Sequence, residues 1–195
     1  AAKDVGIDVN KAHVTIVGAT GSIGKICSTI LANQIASLTL VARNREKLES
    51  LAEYVRHNCK QSSVKFTDNV KDAVKNADIV MLSTTTPSAI ITGRDLTPGS
   101  VVCDISIPHN ISKEEAEENN ILVIDGGLVK CPGKVDFPYL ALAPGLAYAC
   151  LSEVMVLTFE KMYTNYSIGG NATVINTLKI NQLAAKHGFK LAEFR

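Results

Sequence analysis

The chain has 195 residues, 46% of them hydrophobic and 20% charged, with a formal net charge of +1. That length buries a substantial core, and the composition is ordinary for a globular chain. So even a charge balance gives no support to a nucleic-acid or anionic-membrane partner.

The first residues, AAKDVGIDVN, have neither a basic n-region nor an apolar h-region, so they are not a signal peptide. AAKDVGIDVNKA reads as the tail of a helix plus a turn, which suggests a chain that begins mid-protein with a preceding domain cut away. His13–Val17 is expected as a strand, Ser22–Ala36 as a helix and Leu38–Ala42 as a second strand. Arg45–His57 repeats apolar residues at Leu48, Leu51, Ala52 and Val55, a helical period. A short strand at Val64–Phe66, a short helix at Val70–Asn76 and strands at Ile79–Leu82 and Val101–Ile105 follow. Lys113–Glu118 reads as a helical turn and Ile121–Ile124 as a last strand. Strands alternating with helices imply a parallel sheet with helices on both faces. Beyond Pro144 two helices are expected, Leu146–Tyr163 and Asn171–His187, with Gly188 as a C-cap and no further strand. The most apolar stretch, Pro138–Phe159, is interrupted by Pro144, Gly145 and Glu153, so it reads as a buried helix and not a membrane span. The expected fold class is α/β, a Rossmann-type doubly wound parallel sheet with C-terminal helices. It forms one domain over residues 1–195, with a core at about 12–145 and a helical segment at 146–195. Five cysteines, odd in number and without a CxxC pair, argue against a disulfide framework and fit a reducing cytoplasm. No metal-ligand set is assigned.

The strongest signal is Gly18-Ala19-Thr20-Gly21-Ser22-Ile23-Gly24, which follows the first strand and opens the first helix. Its spacing is GxxGxxG. Gly18 permits the tight turn, Gly21 lets backbone approach a pyrophosphate, and Gly24 lets the helix pack closely on the strand. Free N–H groups and the helix dipole then hold the phosphates. The alternative is a glycine-rich turn that binds nothing. The second strand ends Val41-Ala42-Arg43-Asn44-Arg45, with no acid where an NAD site places one for the ribose hydroxyls. Arg43 and Arg45 suit a 2′-phosphate, so NADP(H) is the expected cofactor. The alternative is that both are solvated residues at a helix start.

Ligands of such sheets bind beyond the carboxyl ends of the strands. Ser83, Thr84 and Thr85, in the loop to Pro87, carry hydroxyls suited to a cofactor ribose or a substrate, or form a merely polar turn. In the next loop Cys103 is a candidate nucleophile or a small buried hydrophobe. His109 is a candidate acid or base or a structural loop residue. Asp125-Gly126-Gly127 ends the last strand with a glycine pair that admits another backbone or a cofactor ring, or forms a simple turn.

The runs GATGSIG, VARNREKL, DISIPHN, IDGGLV, LSEVMVLTFEKMYTNYSIGGN and AAKHGF together resemble the C-terminal half of cyanobacterial-type long-chain acyl-(acyl carrier protein) reductases, along the whole chain. The resemblance implies an NADPH-dependent oxidoreductase in which a cysteine takes an acyl group from acyl carrier protein. Hydride then releases a fatty aldehyde. It also implies a substrate domain preceding these residues. The family's cysteine lies four residues before an aspartate that aligns with Asp104, which places Ser100 at the cysteine position. Cys103 lies three residues later and, on a strand, faces the other way. DISIPHN stands where the family has a glycine pair. The segment ADIVMLSTTTPSAIIT with GSVVCDISIP also resembles the Rossmann domains of glutamyl-tRNA reductases and shikimate dehydrogenases. That keeps a different reductase, or a cofactor-binding module without catalysis of its own, as alternatives.

Overall fold

Parallel strands covered on both faces read as continuous apolar runs, and HVTIV behaves so: Val14, Ile16 and Val17 are all buried. In the computed structural model, which describes residues 1–59, 62–86, 89–106, 108–167 and 172–192, this run is strand β1 (His13–Val17). It is followed by α1 (Ser22–Leu31), β2 (Ser37–Val41), α2 (Arg45–Asn58), β3 (Ser63–Thr67), α3 (Val70–Val74) and β4 (Ile79–Leu82). Then come β5 (Val101–Asp104), α4 (Lys113–Glu118) and β6 (Leu122–Asp125). The six strands form one sheet in the order β3-β2-β1-β4-β5-β6, and every pairing is parallel. The order reverses between β1 and β4, the point where such sheets open a crevice at their carboxyl edge. One core cluster joins Ile16 and Leu40 to Leu48, Leu51 and Val55 of α2. A second joins Val80 and Val102 to Val74 of α3 and Ala116 of α4. The buried Thr15 hydroxyl donates to the Ala73 carbonyl at 2.8 Å, tying α3 under the central strand.

The expected Rossmann-type sheet with helices on both faces is the one observed. Helix α1 is shorter than its apolar pattern, ending at Leu31, because fully buried Ile35 belongs to the core beneath β2 and not to the helix. The chain divides into two compact units, Ala1–Gly126 and Gly127–Arg195. The second contains a small antiparallel sheet that the pattern did not reveal: β7 (Leu128–Lys130) pairs with β8 (Leu146–Tyr148) on one side and β9 (Lys190–Leu191) on the other. The expected helix at Leu146–Tyr163 is therefore β8 followed by α5 (Ala149–Phe159). A three-residue apolar strand running straight into an apolar helix has no period of its own to separate them. The last helix, α6 (Val174–Lys186), is capped at Thr173, and Asn171 lies outside the described residues. Gly188, at φ +83°, closes it as expected: the Gly188 and Phe189 N–H groups donate to the Ala185 and Ala184 carbonyls, a Schellman motif. No helix among the described residues is long and apolar enough to cross a membrane.

In this second unit, Glu160 Oε1 accepts from Lys186 Nζ and His187 Nε2, both at 2.6 Å, joining the ends of α5 and α6. Lys186 and then His187 hold the Glu160 carboxyl below its ordinary value of 4.5. A carboxylate with a lowered folded-state pKa stabilises the fold fully above the ordinary value, and that stabilisation is lost as pH falls through the lowered one. Thermal unfolding between about pH 3 and pH 6 checks this. Glu160→Gln should lower the midpoint at the upper end of that range and narrow the gap to wild type at the lower end. Parallel profiles would remove Glu160 from the acid response.

Candidate functional site

The turn after β1 is built by its glycines. Gly18 has φ +84°, and a side chain there would run into the Ser83 carbonyl. A side chain at Gly24 would run into the Gly18 carbonyl oxygen and lie 2.7 Å from Ala19 Cα. Both glycines are thus required by the protein's own packing. Gly21 differs: its backbone is extended, at φ −72° and ψ 167°, and a Cβ there would meet only the Gly18 carbonyl oxygen, at 3.2 Å.

The amides of the turn are divided between structure and opening. Gly18 and Ala19 both donate to the Val41 carbonyl, at 2.9 and 3.0 Å, which fastens the turn to the end of β2. Gly21 donates to Gly18. The first helical bond of α1 is Lys25 N–H to the Gly21 carbonyl, so the amides of Ser22, Ile23 and Gly24 lie ahead of it. No side chain caps this helix, whereas Asn44, Asn69, Ser112 and Thr173 cap α2, α3, α4 and α6. Gly21, Ser22 and Ile23 are exposed. An uncapped, exposed helix start on a glycine turn fits an anionic phosphate. Of the predicted set, Ala19 is fully buried and its amide is committed to Val41.

Arg43, Asn44 and Arg45 follow the end of β2 and are exposed. The Asn44 side chain is occupied as the cap of α2, accepting from Lys47 N–H at 2.9 Å. Neither arginine forms an ion pair among the described residues.

Beyond β4, Ser83 is held by Val17 through both its amide and its hydroxyl, each at 3.0 Å. Thr84 N–H donates to Ser106 Oγ at 3.3 Å, while Thr84 Oγ1 is buried without a partner. Thr85 is exposed, and Pro87 of the same predicted loop lies outside the described residues.

At the end of β5 stands a fully buried carboxylate, Asp104. It accepts from Ser106 N–H at 2.9 Å and Asn110 N–H at 2.6 Å, and so folds the loop over itself. His109 sits between two acids, Nδ1 at 3.9 Å from Asp104 and Nε2 at 3.8 Å from Asp125, and is 54% exposed. Asp104 served in the sequence only as an alignment anchor. The signal for its role was an acid ending an otherwise apolar strand, a group that must find hydrogen-bond donors or stay out of the core.

The candidate nucleophiles are placed apart. The Cys103 thiol is pushed up to about 11, first by burial and then by Cys27, Asp104 and Asp125, the opposite of what a reactive thiolate needs. Ser100 is buried and precedes β5, at the opposite edge of the sheet from the glycine turn, and its hydroxyl has no partner. At Gly126 a side chain would run into Ile105 and lie 3.1 Å from Cys103 Sγ, so this glycine admits the neighbouring strand's side chains. Among the described residues no three His, Cys, Asp or Glu come together as metal ligands.

Residues 1–126 match the shikimate / quinate 5-dehydrogenase family. A long-chain acyl-(acyl carrier protein) reductase of Synechococcus elongatus is 31% identical over 97% of the chain and 56% of its own length. The aminotransferase PigE of a Serratia species is 32% identical over 90% of the chain, which covers 21% of that protein. The chain thus spans about half, or less, of these relatives. Quinate dehydrogenase from Corynebacterium glutamicum, solved with NAD, superposes with a TM-score of 0.50 at 18% identity, over 61% of this chain and 45% of that one, which speaks for the fold alone. With a six-stranded dinucleotide-binding sheet, a glycine turn opening its first helix and a family match across that entire unit, the chain belongs to the shikimate / quinate 5-dehydrogenase family and is related to oxidoreductases with nicotinamide-dinucleotide-binding domains.

Proposed function

We propose that this chain is the NADP(H)-binding part of a reductase that reduces an acyl thioester, carried on acyl carrier protein or coenzyme A, to an aldehyde. The observation that carries this reading is the extent of the similarity. The family match ends at residue 126, whereas the likeness to the acyl reductase takes in 97% of the chain and therefore the second unit as well.

In this reading the exposed amides at the start of α1 hold the pyrophosphate, and Gly21 gives it room. Arg43 and Arg45 hold the 2′-phosphate, and Ser83, Thr84 and Thr85 border the far ribose. The cofactor supplies hydride when bound, and the chain's own residues bind and orient it. A substrate-binding domain outside these 195 residues completes the enzyme, as the resemblance implies. A reducing cytoplasm suits five free thiols.

A second reading, a cofactor-binding module with no nucleophile of its own, is favoured by two placements: Cys103 is held protonated, and Ser100 lies at the wrong edge of the sheet. The full-length protein, given NADPH and acyl carrier protein thioesters, separates the two. Aldehyde supports the reductase, and its absence leaves the module.

Cofactor choice is tested on the chain itself by calorimetry. NADPH should bind tighter than NADH. Arg43→Ala should cost NADPH roughly 1.5–3 kcal/mol, the range for a charge-assisted hydrogen bond, and leave NADH unchanged. Equal binding of both cofactors by wild type would overturn the NADP(H) assignment.

A further inference from the structure

Two side-chain atoms at neighbouring strand ends are buried without a hydrogen-bond partner, Thr84 Oγ1 beyond β4 and Asn110 Nδ2 beyond β5. Asn110 is 5% exposed. Its amide orientation is set, because Oδ1 accepts from Ile90 N–H at 3.2 Å, and the group left over is therefore the N–H2 donor. The two residues hang from one anchor. Asn110 N–H donates to Asp104 Oδ2 and Ser106 N–H to Asp104 Oδ1, while Ser106 Oγ accepts from Thr84 N–H. A buried polar group without a partner loses its hydration and gains nothing in return, and such groups call for a specific explanation. Here there are two, a donor and a hydroxyl, at the carboxyl edge where ligands of this fold bind.

We propose that Asn110 and Thr84 form a subsite for a carboxamide. Asn110 Nδ2 donates to its carbonyl oxygen, and Thr84 Oγ1 accepts from its N–H. A carboxamide carries the complement of this pair, one acceptor and one donor on a single planar group. The inference rests on the NADP(H) reading and deepens it: the group recognised is the nicotinamide carboxamide, and β4 and β5 lie on the other side of the strand-order reversal from Arg43, as the two ends of a dinucleotide require. Since no hydrogen bond holds the Thr84 hydroxyl, turning it to a ligand breaks none.

The test is calorimetry of wild type, Thr84→Val and Asn110→Asp with NADPH, with its 3-acetylpyridine analogue, which keeps the carbonyl and lacks the amide N–H, and with 2′,5′-ADP, which lacks the nicotinamide half. Thermal unfolding is measured alongside. Thr84→Val should leave stability unchanged or raised, since it removes an unsatisfied polar atom. It should weaken NADPH about fivefold to tenfold, leave 2′,5′-ADP alone, and abolish the preference for NADPH over the acetylpyridine analogue. Asn110→Asp keeps the bond to Ile90 and should weaken both nicotinamide-bearing ligands but not 2′,5′-ADP. Wild-type affinity for NADPH in both variants overturns the subsite. So does a Thr84→Val variant that is less stable but binds normally, the result if the two groups merely pair with each other. Equal binding of NADPH and 2′,5′-ADP by wild type overturns the subsite while the NADP(H) reading stands. Failure of wild type to bind either removes both.

Discussion

Replacing Gly21 by valine should leave the first unit folded and weaken dinucleotide binding by about two orders of magnitude. The backbone at Gly21 is in a region open to any residue, and only the Gly18 carbonyl crowds its Cβ, so the protein itself asks little of this glycine. A phosphate drawn to the amides of Ser22, Ile23 and Gly24 asks much more, because the valine methyls would occupy the approach. The expected loss is about 3 kcal/mol, roughly a hundredfold in affinity, with a stability change within about 1 kcal/mol. Gly24→Val is the contrast: its side chain would collide with backbone of the turn, so it should lose stability first and binding only as a consequence. Calorimetry with NADPH and urea unfolding followed by circular dichroism read both quantities; the chain has no tryptophan to report by fluorescence. Normal NADPH affinity in Gly21→Val would mean that phosphates do not approach this turn.

Asp104→Ala should be the most damaging single change outside the glycine turn. The carboxylate is fully buried and accepts two backbone N–H groups. Alanine leaves both donors buried and unpaired. Hydrogen bonds to a charged group contribute about 1.5–3 kcal/mol each, so a loss of roughly 3–6 kcal/mol is expected. Asp104→Asn keeps one acceptor and turns an N–H2 group toward the other amide, and should cost about half as much. Hydrogen exchange at the Ser106 and Asn110 amides should speed up in step with the stability loss. A loss below about 1 kcal/mol would show that water replaces the carboxylate and that the loop does not depend on it.

The sheet was legible because its central strands are buried on both faces, and Val14–Val17, Leu38–Val41 and Val101–Val102 stand out as apolar runs without need of a period. The glycine turn was legible because its spacing came with strand before and helix after. What the sequence hid depends on partners distant along the chain. Strand β8 exists because Leu128–Lys130 lies beside it, and β9 is two residues long. Neither has enough length to show an alternation. Ser100 and Cys103 are three positions apart on paper, yet a strand's rise of about 3.3 Å per residue puts them about 10 Å apart, at different heights on the sheet. Only the pairing of β5 with β4 and β6 decides which end borders the crevice. The work of Asp104 was invisible because its donors, Ser106 and Asn110, are backbone amides, which leave no mark in composition.

The pairing of β7 with β9 joins residues 129–130 to 190–191, nearly the two ends of the second unit. During synthesis every strand of the six-stranded sheet has emerged once residue 125 is clear of the ribosome, whereas the small sheet still lacks its third member until residues 190–191 follow. With chain growth at about 5–20 residues per second, the first unit has several seconds to fold before the second is able to close. A product cut short before residue 190 would therefore contain all six strands of the parallel sheet and lack the strand that closes the second sheet.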